Sequence, residues 1–113
     1  QLANIATDIE VLRMLFYRNG WLIKEGLPTP YESAMNKVLA DETGQKLAAL
    51  GMEILGLYGP LKEGSRWVPL HGYIQHLYQA TMGHTIAGGT SEVLRTTVAI
   101  RGLGLPREPR GRS

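Results

Sequence analysis

Leu2, Ile5, Ile9, Leu12, Phe16 and Ile23 recur at alternating steps of three and four, with one seam position lost around Asn19 and Gly20. On a 3.6-residue helix that spacing gathers the six side chains on one face, whereas a strand would divide them between two. The pattern predicts one long amphipathic helix with this seam turned to a core. Glu10 stands three residues before Arg13 on its outer surface, an ion pair worth a few tenths of a kcal/mol. Gly26 supplies a flexible C-terminal position, and Pro28 and Pro30 block continuation.

A second helix announces itself at once. Thr29 is placed to be its N-cap, Pro30 suits the first helical position because it has no N–H to leave unpaired, and Glu32 can reach back. Met35, Val38, Leu39, Thr43, Leu47, Leu50 and Ile54 form its expected buried face. Ala40, Gly44, Ala48 and Gly51 add a line of small residues. Each glycine inside a helix costs about 1 kcal/mol against alanine, so two of them predict the close approach of another helix.

Gly56, Gly59 and Pro60 close that helix, and residues 60–72 read as irregular. A short helix carries Ile74, Leu77, Tyr78 and Thr81. A final one runs from about Thr90 to Leu103, offers Val93, Leu94, Thr97, Val98 and Ile100 for burial, and ends at Gly104 and Pro106. No alternating strand pattern appears. The 113 residues are enough for one core. The expected fold is all-α, an up-and-down helical bundle over residues 1–105, followed by a basic flexible tail over 106–113.

Charge supports that division. The net charge is +2, but Arg101, Arg107, Arg110 and Arg112 stand against Glu108 alone at the end of the chain, so the basic excess belongs to the tail. No aromatic residues interleave with these arginines to stack on bases, so nucleic acid is not an expected partner. The chain has no cysteine, which excludes disulfides and thiolate zinc sites. No apolar run approaches the ~20 residues of a membrane span, so a soluble protein is expected; the GGTSE and GLGLP stretches look bacterial, which makes a cytoplasmic protein the expectation.

The stretch IAGGTSEVLR, residues 86–95, sets flexible residues directly before a helix start. A helix N-terminus leaves backbone N–H groups without intrahelical partners and carries partial positive charge. Glycines let an anion approach those donors. Thr90 or Ser91 is placed to cap the helix, with Glu92 in its first turn. A capped helix with no ligand reads equally well from these residues alone.

Other chemistries find less support. His71, His76 and His84 lack the i, i+4 spacing that sets two imidazoles on one helical face, so no metal site is expected. Ser91 has no base beside it in sequence and reads as a capping residue rather than a nucleophile. Asp41 and Glu42 read as a solvated surface. Trp21, Trp67, Tyr17, Tyr58, Tyr73 and Tyr78 read as core or interface packing.

Three stretches together resemble the C-terminal helical domain of the acyl-CoA dehydrogenase family: EVLRMLFYRNGWLIKEG, EILGLYG and, most specifically, IAGGTSEVLRTTVAIRGLGLP. The resemblance implies an FAD-dependent enzyme that removes two hydrogens across the α and β carbons of an acyl-CoA thioester. A carboxylate would take the α-proton, and flavin N5 the β-hydride, before an electron-transfer acceptor reoxidises the flavin. It also implies that the turn of Gly89, Thr90, Ser91 and Glu92 meets FAD near its pyrophosphate and adenosine part. Glu53, Ile54 and Gly56 would reach the FAD of a neighbouring subunit, within a homo-dimer or tetramer, a hetero-tetramer being the other possibility.

The chain departs from the family pattern at several places. An aromatic residue and the glutamate base commonly precede the motif's glycine, and here Ala87 and Gly88 hold those places. The turn therefore supplies no catalytic base, and no residue of this chain is assigned a catalytic role. Gln79 and Ala80 replace a common arginine and aspartate, and residues 60–72 match poorly. The family's N-terminal helical and middle β-domains are not in this sequence, which corresponds to about the last quarter of such an enzyme and is expected to bind FAD weakly or not at all by itself. Two other expectations are a non-catalytic partner subunit and a freestanding helical interaction module that has lost the cofactor.

Overall fold

The computed structural model describes residues 1–107. Most of the expected tail, from residue 108 on, lies outside the described residues. Among them the secondary structure is helical: α1 (Leu2–Lys24), α2 (Glu32–Leu55), α3 (Tyr73–His84) and α4 (Ser91–Thr97), which runs on into a wider π turn over Val98–Gly102. The all-α expectation holds.

The face that α1 turns inward differs from the expected one. Ile5 is buried, and Asp8, Leu12, Leu15, Asn19 and Leu22 are half-buried. Leu2, Ile9, Phe16 and Ile23 are instead 63, 44, 54 and 62% exposed. The physical reason lies in polar residues that bring their own partners to the α2 side. Lys46 Nζ donates to the Asp8 carboxylate at 3.0 Å, Asn19 Nδ2 to Ser33 Oγ at 3.2 Å, and Asn36 Nδ2 to the Leu15 carbonyl at 3.4 Å. These pairings spare the donors the cost of being orphaned, although Asn19 Oδ1 and Asn36 Oδ1 stay buried without a partner.

α2 begins later than expected. Pro30 and Tyr31 form a turn ahead of it, Tyr31 takes the N-cap position, and Thr29 does not cap. The Glu32 carboxylate accepts the Tyr31 N–H at 3.4 Å, and the Tyr31 carbonyl accepts the Met35 N–H at 2.9 Å. Val38, Thr43, Ala48 and Leu50 are buried, whereas Leu47 and Ile54 are exposed and fall off the expected face.

The other helices arrange themselves around α2. α1, α3 and α4 each pack on it, and the partner positions show that all three run opposite to it: Asp8 beside Lys46 but Asn19 beside Ser33, and Ile74 over Gly51 but Thr81 over Gly44. Along α4, Arg95 pairs with Glu42 while Gly102 lies under the Tyr31 ring. The small residues of α2 explain the closeness of α3. A Cβ on Gly51 would stand 2.9 Å from Ile74 Cγ2, and one on Gly44 would stand 3.5 Å from Thr81 Cγ2. Helix packing accounts for both glycines.

Residues 56–72 are irregular apart from two short 3₁₀ turns. Leu70 and His71 adopt left-handed φ values of 51° and 53°, which side chains with a Cβ take only at a cost. The whole is open: the radius of gyration is 17.9 Å, against about 13 Å for a compact chain of this length. None of the described helices is long and apolar enough to cross a membrane.

Candidate functional site

The glycine-rich turn is built from the end of α3 and the start of α4. The Gly83 carbonyl accepts the Ile86 and Ala87 N–H groups at 3.1 and 2.9 Å, which closes α3. Gly88 and Gly89 then take φ values of +70° and +108°, a left-handed path that glycine follows without penalty. Thr90 is extended and caps α4: its Oγ1 accepts the Val93 N–H at 3.4 Å, and its carbonyl accepts the Leu94 N–H at 2.9 Å. Of the two capping candidates the structure selects Thr90. Ser91 is buried behind it.

Glu92 projects into solvent beside the cap. Its carboxyl is held below the usual carboxylate range, first by its own backbone N–H, then by the Thr90 hydroxyl, with Arg95 adding a favourable charge. The first turn of α4 thus uses most of its own donors. Its exposed face presents an ionised carboxylate, able to accept hydrogen bonds from hydroxyl groups.

α2 clamps both flanks of this turn. Lys37 Nζ pairs with the Asp41 carboxylate and donates to the His84 carbonyl at 2.9 Å. Gln45 Nε2 donates to the Thr81 carbonyl at 3.2 Å and to Thr85 Oγ1 at 3.3 Å. Arg95 reaches Glu42 at 2.6 Å. Asp41 and Glu42 were expected on a solvated surface; both are instead half-buried and ion-paired. The i, i+4 spacing of Lys37 and Asp41 is the signal in the sequence that points to the first of these pairs. A Cβ on Gly88 would meet Lys37 Cε at 3.4 Å, so the clamp passes directly under the glycine turn.

Glu53 and Gly56 belong to a different place. Glu53 lines a groove of about 390 Å³ with Gln1, Asn4, Asp8 and Lys46, between the start of α1 and the far end of α2. Gly56 ends α2 at φ +53°, and a Cβ there would meet nothing within 4 Å. From Lys37, under the glycine turn, to Glu53 the helix rises about 24 Å at 1.5 Å per residue. The structure therefore brings Gly89, Thr90, Ser91 and Glu92 together and sets Glu53 and Gly56 apart from them. Of the histidines, His71 and His76 share a polar cleft with Lys62 and Glu63, and His84 lies at the clamp. Among the described residues no three His, Cys, Asp or Glu side chains converge as metal ligands would.

Residues 1–103 match the family described as Acyl-CoA dehydrogenase, C-terminal domain, and the chain belongs to that family. It is 30% identical to acyl-CoA dehydrogenase FadE26 of Mycobacterium tuberculosis over 96% of its own length and 28% of the relative's. Among solved structures, the Tcur3481-Tcur3483 steroid ACAD superposes with a TM-score of 0.88 at 30% identity, over 95% of this chain and 28% of that one. The ChsE4-ChsE5 complex from Mycobacterium tuberculosis gives 0.82 at 31%, with the same two coverages of 95% and 28%. The chain thus spans between about a fifth and little more than a quarter of the length of the relatives it matches.

Proposed function

We propose that this domain serves an FAD-dependent acyl-CoA dehydrogenase, holding the non-reacting part of the cofactor and packing subunits together, while the catalytic base comes from elsewhere in the enzyme. The observation that carries the reading is the separation of its two candidate sets by the length of α2. A single cofactor half cannot easily be served from both ends of that rod, but two cofactors can: the subunit's own at Gly89, Thr90, Ser91 and Glu92, and a neighbour's at Glu53 and Gly56.

The residues present fit such a group. A Cβ at Gly88 or Gly89 would point inward, to 3.4 Å from Lys37 Cε and 3.3 Å from Leu94 Cδ2, so these glycines serve the tight turn, and it is the ionised Glu92 that faces a ligand; it suits ribose hydroxyls better than phosphate, since like charges repel. Open space around Gly56 leaves room for a second molecule. When bound, FAD accepts the hydride leaving the β carbon of the thioester. The α-proton has no acceptor in this turn, because on this reading Glu92 is given to the ribose hydroxyls, away from the reacting end of the cofactor. Gly88 has no side chain, Asp41 and Glu42 are committed to ion pairs, and a general base needs a carboxylate in reach of the proton.

The test is Thr90→Ala in the full polypeptide that carries this domain. Flavin absorbance per subunit after gel filtration should fall, with the protein still folded. Wild-type retention would sink the cofactor assignment.

A second reading is a non-catalytic partner subunit. It is favoured by Gly88 in the base position and by the two-component names of the Tcur3481-Tcur3483 and ChsE4-ChsE5 structures. Turnover of acyl-CoA by the purified polypeptide with no other subunit present would exclude it.

A further inference from the structure

We propose that Met82 is an oxidation site whose sulfoxide draws Gln45 away from the end of α3 and so loosens the glycine turn. The effect on the turn stands on the contacts of this chain; any effect on a cofactor rests on the reading that the turn holds FAD.

A peroxide must reach a sulfur to oxidise it. Of the four methionines, Met35 and Met52 are half-buried in α2, whereas Met14 and Met82 are 60 and 45% exposed. Met14 lies on α1. Met82 lies in the last turn of α3, against the clamp that holds the glycine turn.

That clamp is set by a shortage of donors. Gln45 Nε2 divides its two hydrogens among three acceptors: the Thr81 carbonyl at 3.2 Å, Thr85 Oγ1 at 3.3 Å and Met82 Sδ at 3.9 Å. The Thr81 carbonyl can only accept, which fixes the end of the amide that faces α3. A thioether accepts weakly, so the two oxygens hold the donors. Through them Gln45 ties α2 to Thr85, the residue at which α3 ends and the chain enters the turn.

Oxidation reverses the ranking. The Met82 sulfur attacks one oxygen of hydrogen peroxide, an S–O bond forms as the O–O bond breaks, and the departing hydroxide takes the proton of the new S–OH group and leaves as water. The sulfur is oxidised by two electrons, and the peroxide is reduced by the same two. The product's oxygen is a strong acceptor. Placed on the Gln45 side of a sulfur already 3.9 Å from Nε2, it falls within hydrogen-bond reach. Two hydrogens then face three strong acceptors, and one of the oxygens must lose its share. Thr81 is 2% exposed, whereas the half-buried Thr85 can turn its hydroxyl to water, so the Thr85 bond is the one given up. Lys37 is left to hold that flank through the His84 carbonyl. The change is reversible, because sulfoxide reductases restore the thioether, one enzyme for each epimer.

The experiment uses the full polypeptide that carries this domain, treated with dilute hydrogen peroxide and mapped by peptide mass. Met82 should gain an oxygen alongside Met14 and before Met35 and Met52. Amide exchange at Ile86 and Ala87, whose N–H groups bond the Gly83 carbonyl, should then be about fivefold faster, the size expected for one lost hydrogen bond. Treatment with both sulfoxide reductases should return it to the starting rate. Met82→Leu, which keeps the side-chain volume, should show no peroxide-dependent change. A Met82 left intact after Met14 has reacted, an oxidised Met82 with unchanged exchange, or the same acceleration in Met82→Leu overturns the switch. If Met82→Leu fails to fold, Met14→Leu decides: the acceleration must survive in it, and its disappearance counts against Met82. Faster exchange with unchanged flavin absorbance per subunit leaves the switch standing and sinks the cofactor reading. Flavin loss in Thr90→Ala, beside a turn indifferent to Met82 oxidation, sinks the switch and leaves the cofactor reading standing.

Discussion

Gly51 of α2 lies so close beneath Ile74 of α3 that a single added methyl group would come within 2.9 Å of Ile74 Cγ2. The helix would gain about 1 kcal/mol in propensity from alanine at this position, but overpacking costs about 1–3 kcal/mol when the neighbour cannot give way. Gly51→Ala is expected to be neutral to destabilising by about 2 kcal/mol. Gly44→Ala, whose methyl would sit at an ordinary 3.5 Å from Thr81 Cγ2, is expected to stabilise by up to about 1 kcal/mol. Urea unfolding of the two variants side by side checks the pair. Equal shifts would mean that α3 does not rest on the small residues of α2.

Removing the cap is expected to be felt locally. Thr90→Ala deprives the Val93 N–H of its acceptor and should cost about 1 kcal/mol, whereas Thr90→Ser should recover most of it. Chemical denaturation of the serine and alanine variants separates a capping role from a merely steric one. An alanine variant as stable as the serine variant would contradict it.

Lys37 is expected to matter more than its surface position in sequence suggests. Lys37→Met strands the Asp41 carboxylate, whose side chain is 15% exposed, and removes the donor to the His84 carbonyl. A loss of about 1–3 kcal/mol is expected, together with faster amide exchange at Ile86 and Ala87. Wild-type exchange at those two amides would show that the clamp does not hold the turn.

Glu92 gives the turn a pH dependence with a definite sign. Its folded pKa is depressed by the N–H of its own backbone, by Thr90 and by Arg95. Its stabilisation is therefore present above the unfolded carboxyl pKa of about 4.3, and fades as pH falls through the lower folded value. Glu92→Gln is expected to destabilise at pH 7 and to make little difference in strong acid. Urea midpoints of both proteins across this range test it, and parallel acid limbs would refute it.

Helix number, order and approximate ends were legible from apolar spacing and from Gly and Pro, because those signals are local. The orientation of α1 was not. Counting only apolar residues favours the stripe of Leu2, Ile9 and Phe16. The helix instead turns Asp8 and Asn19 inward, because Lys46 and Ser33 wait for them on α2, and partners 38 and 14 positions away in sequence leave no local trace. The N-cap of α2 misled for a similar reason. Thr29, Pro30 and Glu32 satisfy a capping pattern, but the chain makes one more turn at Tyr31, whose ring is needed against Gly102. The glycine turn was readable because left-handed backbone and a capping hydroxyl are written in the residues themselves. Its clamp was not, since Gln45 and Glu42 declare no role until α3 and α4 are in place.

The seating of Gly102 under the Tyr31 ring, with Tyr31 Cγ only 3.0 Å from where a Cβ would stand, has a consequence for the order of assembly. α1 with α2, and α2 with α3, are neighbours along the chain, joined by residues 25–31 and 56–72, whereas this contact must bring together Tyr31 and Gly102, much farther apart in sequence, at a larger loop-closure cost. We expect the final helix to dock last. Pulse-labelled hydrogen exchange during refolding should protect α1 and α2 before Leu94 and Val98, and the reverse order would refute this. A nascent chain interrupted at that stage would own a finished hairpin and no finished glycine turn, so the part of the fold we propose as the cofactor contact is also the part that matures at the end.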